Sequence, residues 1–234
     1  MSSNKKQQTL NEEKNWERID DAVISSEHFM ERYKKQLLIG VGAVVIIVLG
    51  IWSYTQFYLG PQNKEAQAAI FKGEQYFENS QDSLAIYGDG NSYKGFESII
   101  NEYGSTKAGN LARYYAGVSY SRLGKYEQAI SHLKSFKGGD EMITYTAQGL
   151  LGDCLVNTGK LEEAAKRFAD VAKSANNDML SPIYYKKAGI VYRELKNYDK
   201  VVEVFTTLKN NYLNSPESAD IDKYIEEAKL LKGK

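Results

Sequence analysis

Cysteine occurs once in this 234-residue chain, at Cys154, so no internal disulfide can form. There are only two histidines, His28 and His132, and with a single thiol they are too few for a structural zinc site. Neither histidine belongs to an H-E-x-x-H pair, and no G-x-S-x-G or phosphate-cradling G-x-x-x-x-G-K-[ST] occurs. The sequence therefore offers no catalytic, cofactor-binding or metal-binding constellation. Net charge is also missing: 30 Lys and Arg balance 30 Asp and Glu, which leaves no basic footprint for nucleic acid. Cys154 sits between Gly152 and Leu155 in an expected packed helix, a place for a core thiol rather than a nucleophile.

One long apolar run stands out against a mean hydropathy of -0.49. No charged residue lies between Lys35 and Lys64, and every residue from Leu37 to Trp52 is apolar or glycine. Counted from Leu37 to Tyr58, the span has 22 residues, about 33 Å as a helix against a hydrocarbon core of about 30 Å. A cleaved signal peptide fits poorly, because SYTQFYLGP offers no A-x-A-like site and the apolar part is too long. Trp52, Tyr54, Phe57 and Tyr58 have the composition of an interfacial aromatic belt. Arg32, Lys34 and Lys35 abut the entry side, so the positive-inside rule predicts a cytoplasmic N-terminus and an extracytoplasmic remainder. The expected organisation is a tail over 1–35, a transmembrane signal anchor over 36–58 and a single domain over 59–234. In the tail, Trp16, Ile19, Val23, Met30, Tyr33 and Leu37 follow 3–4 spacing, interrupted only by Ser26, which predicts an amphipathic helix from about Asn11. Such a helix either lies on the membrane surface or docks on a partner. In the anchor, Gly40, Ala43 and Gly50 fall on one stripe, a surface over which another membrane helix could approach closely; a plain lipid-facing anchor is the alternative.

The region beyond the anchor repeats itself. LARYYAGVSYSRLGKYEQAISHLKSF, AQGLLGDCLVNTGKLEEAAKRFADVA and YYKKAGIVYRELKNYDKVVEVFTTLK share one pattern. Gly117, Gly152 and Gly189 are each followed three residues on by Tyr120, Leu155 or Tyr192. A turn follows (LGKY, TGKL, LKNY), then a second amphipathic helix carrying Ala129, Ala164 or Val201 and, four on, Leu133, Phe168 or Phe205. The glycines are 35 and 37 residues apart, near the tetratricopeptide period of about 34. The pattern resembles the tetratricopeptide repeat, which implies an all-α solenoid of helical hairpins. Expected repeats lie near 64–103, 110–144, 146–178 and 183–216, with a cap helix over 216–232 opened by Ser215 and Pro216. In the first repeat Gly73 and Tyr76 take the glycine and aromatic places. SQDSLAIYGDGN then interrupts it and reads as a loop; Asp89 and Asn91 miss the spacing of a calcium loop.

In such a solenoid the first helices line the inner surface. Reading them in register gives Tyr114, Arg122, Asp153, Asn157, Lys186 and Arg193 as polar handles of a partner-binding groove. Capture of an extended or helical peptide is the functional reading, and an ordinary solvated surface the plain one.

The tail run Glu27, Phe29, Met30 and Glu31, then Lys35, Ile39-Gly40, Trp52-Ser53-Tyr54, EAQAA and the hairpins together resemble the YfgM-like ancillary subunits of the bacterial Sec translocon. That resemblance implies a single-pass inner-membrane protein with a periplasmic repeat domain. It implies a non-enzymatic scaffold whose partners are translocon channel subunits and periplasmic chaperones or client polypeptides. A scaffold of another cell-envelope assembly or secretion complex remains open. A mitochondrial import receptor is a third reading, one that would place the repeats in the cytosol.

Overall fold

The computed structural model describes residues 33–36 and 38–232. The expected amphipathic tail helix, with His28, lies outside the described residues except at its last positions. The chain divides into two units between Tyr58 and Leu59.

In the first unit, residues 38–53 form a helix, α1, and the chain then widens into a π-helical segment, Tyr54–Leu59. The apolar side chains of α1 cover nothing: Ile39 and Ile46 are each 72% exposed. Gly40 and Gly50 face open space. Among the described residues one helical run, Tyr33–Glu78, is long and apolar enough to cross a membrane. Trp52 meets Phe57 edge-on and Tyr54 stacks on Tyr58.

The second unit is a tetratricopeptide-like α-solenoid, with no strand among the described residues. Its helices are α2 (Gly60–Glu78), α3 (Asp82–Tyr87), α4 (Phe96–Tyr103), α5 (Lys107–Arg122), α6 (Tyr126–Ser135), α7 (Glu141–Asn157), α8 (Leu161–Ala175), α9 (Ser181–Glu194), α10 (Tyr198–Asn211) and α11 (Ile221–Lys232). From α4 onward each helix packs on the next, because one hairpin cannot bury its apolar face alone. Helix starts are set locally: Thr106 accepts from Gly109 N and Asp140 from Met142 N, satisfying donors that the first turn leaves free.

The repeat glycines sit where two helices touch. A Cβ on Gly117 would lie 2.7 Å from Leu133 Cγ, and one on Gly152 2.5 Å from Phe168 Cε1. Gly189 meets the Phe205 ring in the same way. The turns repeat as well: Gly124, Gly159 and Lys196 are left-handed, with φ of 71°, 74° and 55°. The following amides of Lys125, Lys160 and Asn197 each reach back 2.9 Å to the carbonyls of Tyr120, Leu155 and Tyr192, the bond of a Schellman cap.

The first hairpin departs from expectation. Its first helix ends in the same motif, with Ser80 at φ 56° and Gln81 N bonded to the Tyr76 carbonyl at 2.8 Å. The stretch expected to be a loop then folds into α3, which packs on α2, α4 and α5. Ala85 and Ile86 are fully buried, and the Tyr93 hydroxyl donates to the Ala85 carbonyl at 2.8 Å. Asp89 organises the return: its Oδ1 accepts the amides of Asn91, Ser92 and Tyr93 at 2.9–3.0 Å. Its Oδ2 accepts Lys72 Nζ at 2.6 Å and the Tyr76 hydroxyl at 3.0 Å. With both oxygens filled by donors, the Lys72 ammonium among them, this carboxylate holds a turn together. The Lys72 bond first, and the amides next, hold it well below the usual carboxylate range.

The C-terminal end differs too. Pro216–Ser218 is only a 3-10 turn, tied by Ser218 Oγ to the Tyr212 carbonyl at 2.8 Å. The cap helix begins later, at Ile221. The core of the unit falls into two clusters. One runs through α9 to Val191, and the other, Val201 to Ala228, is joined to it through Tyr185 and Tyr192.

Candidate functional site

The six expected handles all lie on first helices, but most of them are already engaged. Arg122, at the end of α5, stacks 4.3 Å over the Phe77 ring and reaches Asp82 at 3.4 Å. Its other bond, 3.3 Å, goes to the Phe77 carbonyl, so it ties α5 to the first hairpin. Asp153 on α7 receives Lys187 Nζ on both oxygens at 2.7 and 2.8 Å, joining α7 to α9. Arg193 on α9 pairs with Glu227 on α11 at 2.8 Å and lies over the Tyr224 ring; the Glu227 bond raises its pKa. Asn157 donates to the Asp153 carbonyl of its own helix. Tyr114 is half-buried between Tyr115 and Phe136, and burial raises its phenol pKa. Lys186 is half-buried and makes no ion pair among the described residues.

The ties have a simple origin. Neighbouring first helices present side chains across a narrow gap, and opposite charges there satisfy one another at half exposure. Lys187 and Glu227, the partners of Asp153 and Arg193, escaped the sequence reading because each lies 34 residues from its mate. The available signal was Lys187 itself, two residues before Gly189. The surface left beside these ties is apolar: Val156, one turn beyond Asp153, and Ile190, one turn beyond Lys187, are both exposed. Tyr184 closes the α7–α9 seam from below Lys187, packed on Gly149, and burial first and Asp153 next push its phenol up to about 12.

A polar node links α4, of the first hairpin, to both helices of the second. Glu97 Oε1 accepts the Tyr120 hydroxyl at 2.6 Å and lies 3.0 Å from His132 Nε2, while Tyr120 and His132 stack. His132 is therefore a packing residue. Cys154 is buried with its Sγ 3.5 Å from Ser121 Oγ, and burial pushes its thiol pKa up, away from reactivity. No cluster of three or more potential metal ligands occurs among the described residues.

Comparison with known proteins agrees with this architecture. The tetratricopeptide repeat family profile matches residues 111–138, the second hairpin. The fold is tetratricopeptide-like. A crystal structure of nearly identical TPR-like repeats, related to kinesin light chain and from Podosopora anserina, aligns with 72% of this chain and 87% of its own at TM-score 0.50. A single-residue variant of the same protein aligns over the same shares at 0.51, and both are 13% identical in sequence. At that identity the likeness is one of fold. No curated protein matches the sequence. A tetratricopeptide array indicates a surface for binding other proteins.

Proposed function

We propose that this chain is a single-pass membrane scaffold that holds a protein-docking repeat domain against the bacterial Sec translocon, on the extracytoplasmic side. The observation that carries the reading is the helix 38–53, apolar all round, exposed on every side and free of charge, in one chain with stacked hairpins. Lipid is the environment that such a helix matches. The cations clustered before it supply the orientation, and the resemblance to YfgM-like subunits supplies the channel as partner. On this reading the stripe Gly40, Ala43 and Gly50 meets a channel helix. The groove of α5, α7 and α9 receives client or chaperone segments at Tyr114, Asn157 and Lys186 and the exposed Val156 and Ile190. Arg122, Asp153 and Arg193 shape that groove by tying the hairpins.

Affinity isolation of the tagged full chain in mild detergent tests this directly. Channel subunits and periplasmic chaperones should be recovered, and replacing Gly40, Ala43 and Gly50 together with leucine should reduce the channel while the protein stays membrane-integrated. Recovery of a different envelope machine in place of the channel overturns the translocon assignment. Protease added to spheroplasts should digest the repeat domain; protection of that domain overturns the orientation.

A further inference from the structure

Away from the handles, the segment after α6 and the pair α7–α8 line a surface cavity of about 400 Å³, open to solvent, within the range of about 300–1,000 Å³ usual for small-ligand sites. Two hydrogen bonds brace it between α7 and α8: the Tyr145 hydroxyl donates to the Ser174 carbonyl at 3.0 Å, and Arg167 Nη1 donates to Gln148 Oε1 at 3.0 Å. Arg167 is unusual in the molecule. Its Nε is sealed from water yet has no acceptor, and its one hydrogen bond goes to a neutral amide. Because Nε is sealed, only the terminal nitrogens of the guanidinium can meet a ligand from the cavity. With Nη1 occupied by Gln148, the guanidinium is held in place and its remaining donors are uncommitted.

Asp170, three residues further along α8, lines the same cavity and forms no ion pair among the described residues. Residues at i and i+3 are neighbours on one helix face, so two unlike charges stand one turn apart without joining each other. The apolar part of the lining comes from Phe136 and Val171, both buried. A ligand complementary to this set brings an oxyanion, a cationic donor close beside it, and an apolar group. We propose that the cavity binds a free α-amino acid with an apolar side chain. Its carboxylate takes a charge-assisted hydrogen bond from the terminal nitrogens of Arg167 that Gln148 leaves free, its ammonium goes to Asp170, and its side chain to Phe136 and Val171. Lys137, also in the lining, adds positive charge at the cavity edge and by itself would favour a plain carboxylate. The test separates the two.

Isothermal titration of the full chain in detergent micelles with L-leucine and L-phenylalanine should give saturable binding. N-acetyl-leucine lacks the ammonium and leucinamide lacks the carboxylate; each should bind about tenfold more weakly or worse, as loss of one charge-assisted contact implies. Arg167→Gln and Asp170→Asn should each weaken leucine by a similar factor. Because Arg167 also braces α7 against α8, unliganded thermal unfolding of both variants is compared, and Asp170→Asn, at an exposed position, should melt like the parent. Absence of saturable binding by either amino acid overturns the proposal. So does undiminished binding of N-acetyl-leucine, or of leucine to Asp170→Asn. None of these outcomes depends on the anchor or on any protein partner.

Discussion

The first hairpin and the three after it reach the same packing by different lengths of chain. In each later hairpin 16 residues separate the glycine from the side chain that it faces: Gly117 from Leu133, Gly152 from Phe168, Gly189 from Phe205. In the first, 23 residues separate Gly73 from Phe96, and Tyr93 crowds the same glycine. The later hairpins therefore rest on a helix–helix contact made over a short turn. The first rests on an inserted helix, a buried tyrosine and a carboxylate that gathers a lysine, a tyrosine hydroxyl and three amides. What recurs is the contact, and the chain between its halves is free to vary as long as its own polar groups are satisfied.

The largest effect should come from closing the glycine seam in a regular hairpin. Gly152→Leu pushes against Phe168 and should cost about 1–3 kcal/mol by overpacking, read as a lower midpoint in chemical unfolding. An unchanged midpoint would mean that α7 and α8 do not meet there. Acid should then separate the two kinds of hairpin. The pKa of Asp89 is lowered in the fold, so its stabilisation is complete above the ordinary carboxylate value and is lost as pH falls below it. Amide protection at Asn91, Ser92 and Tyr93, corrected for the pH dependence of exchange itself, should therefore fall as pH drops below about 4, and Asp89→Asn should show that low protection already at neutral pH. Corrected protection there that is independent of pH would remove the carboxylate from its role.

Tyr93→Phe strips the Ala85 carbonyl of its donor and should cost about 1 kcal/mol, confined to the α3–α4 region. A loss spread evenly over all the hairpins would contradict the local reading. The smallest change runs the other way. Lys196 holds a left-handed turn at which the two preceding repeats use glycine. Lys196→Gly should stabilise by about 0.5–1 kcal/mol, the relief of left-handed strain less the entropy that glycine gains in the unfolded chain. A lower midpoint for this variant would show that the Lys196 side chain is worth more than its backbone cost.

The sequence made the regular hairpins legible because Gly117, Gly152 and Gly189 and their facing residues keep a fixed spacing. It hid α3, since Leu84, Ala85 and Ile86 make a run too short to show a period. It also misplaced the cap helix: Ser215-Pro216 has the composition of a helix start, yet Ser218 bonds back to Tyr212 and delays the helix to Ile221. The groove was legible by position and illegible by state. Nothing local in Arg122, Asp153 or Arg193 says that a partner 34 to 40 residues away already holds it. The Arg167 cavity was missed for a related reason, because its lining is drawn from three segments of the chain.

The division of the core after α9 has a consequence for how the array comes apart. Helices α10 and α11 share a cluster of their own, tied to α9 through Tyr185 and Tyr192, the Gly189–Phe205 contact and the Arg193–Glu227 pair. In a linear array whose stability is a sum of neighbour couplings, an interior unit is held from both sides and an end unit from one. Opening at the C-terminal end therefore breaks one set of contacts, whereas opening inside the array breaks two. The last two helices, which carry an apolar cluster between them, can leave and return without disturbing the body beneath.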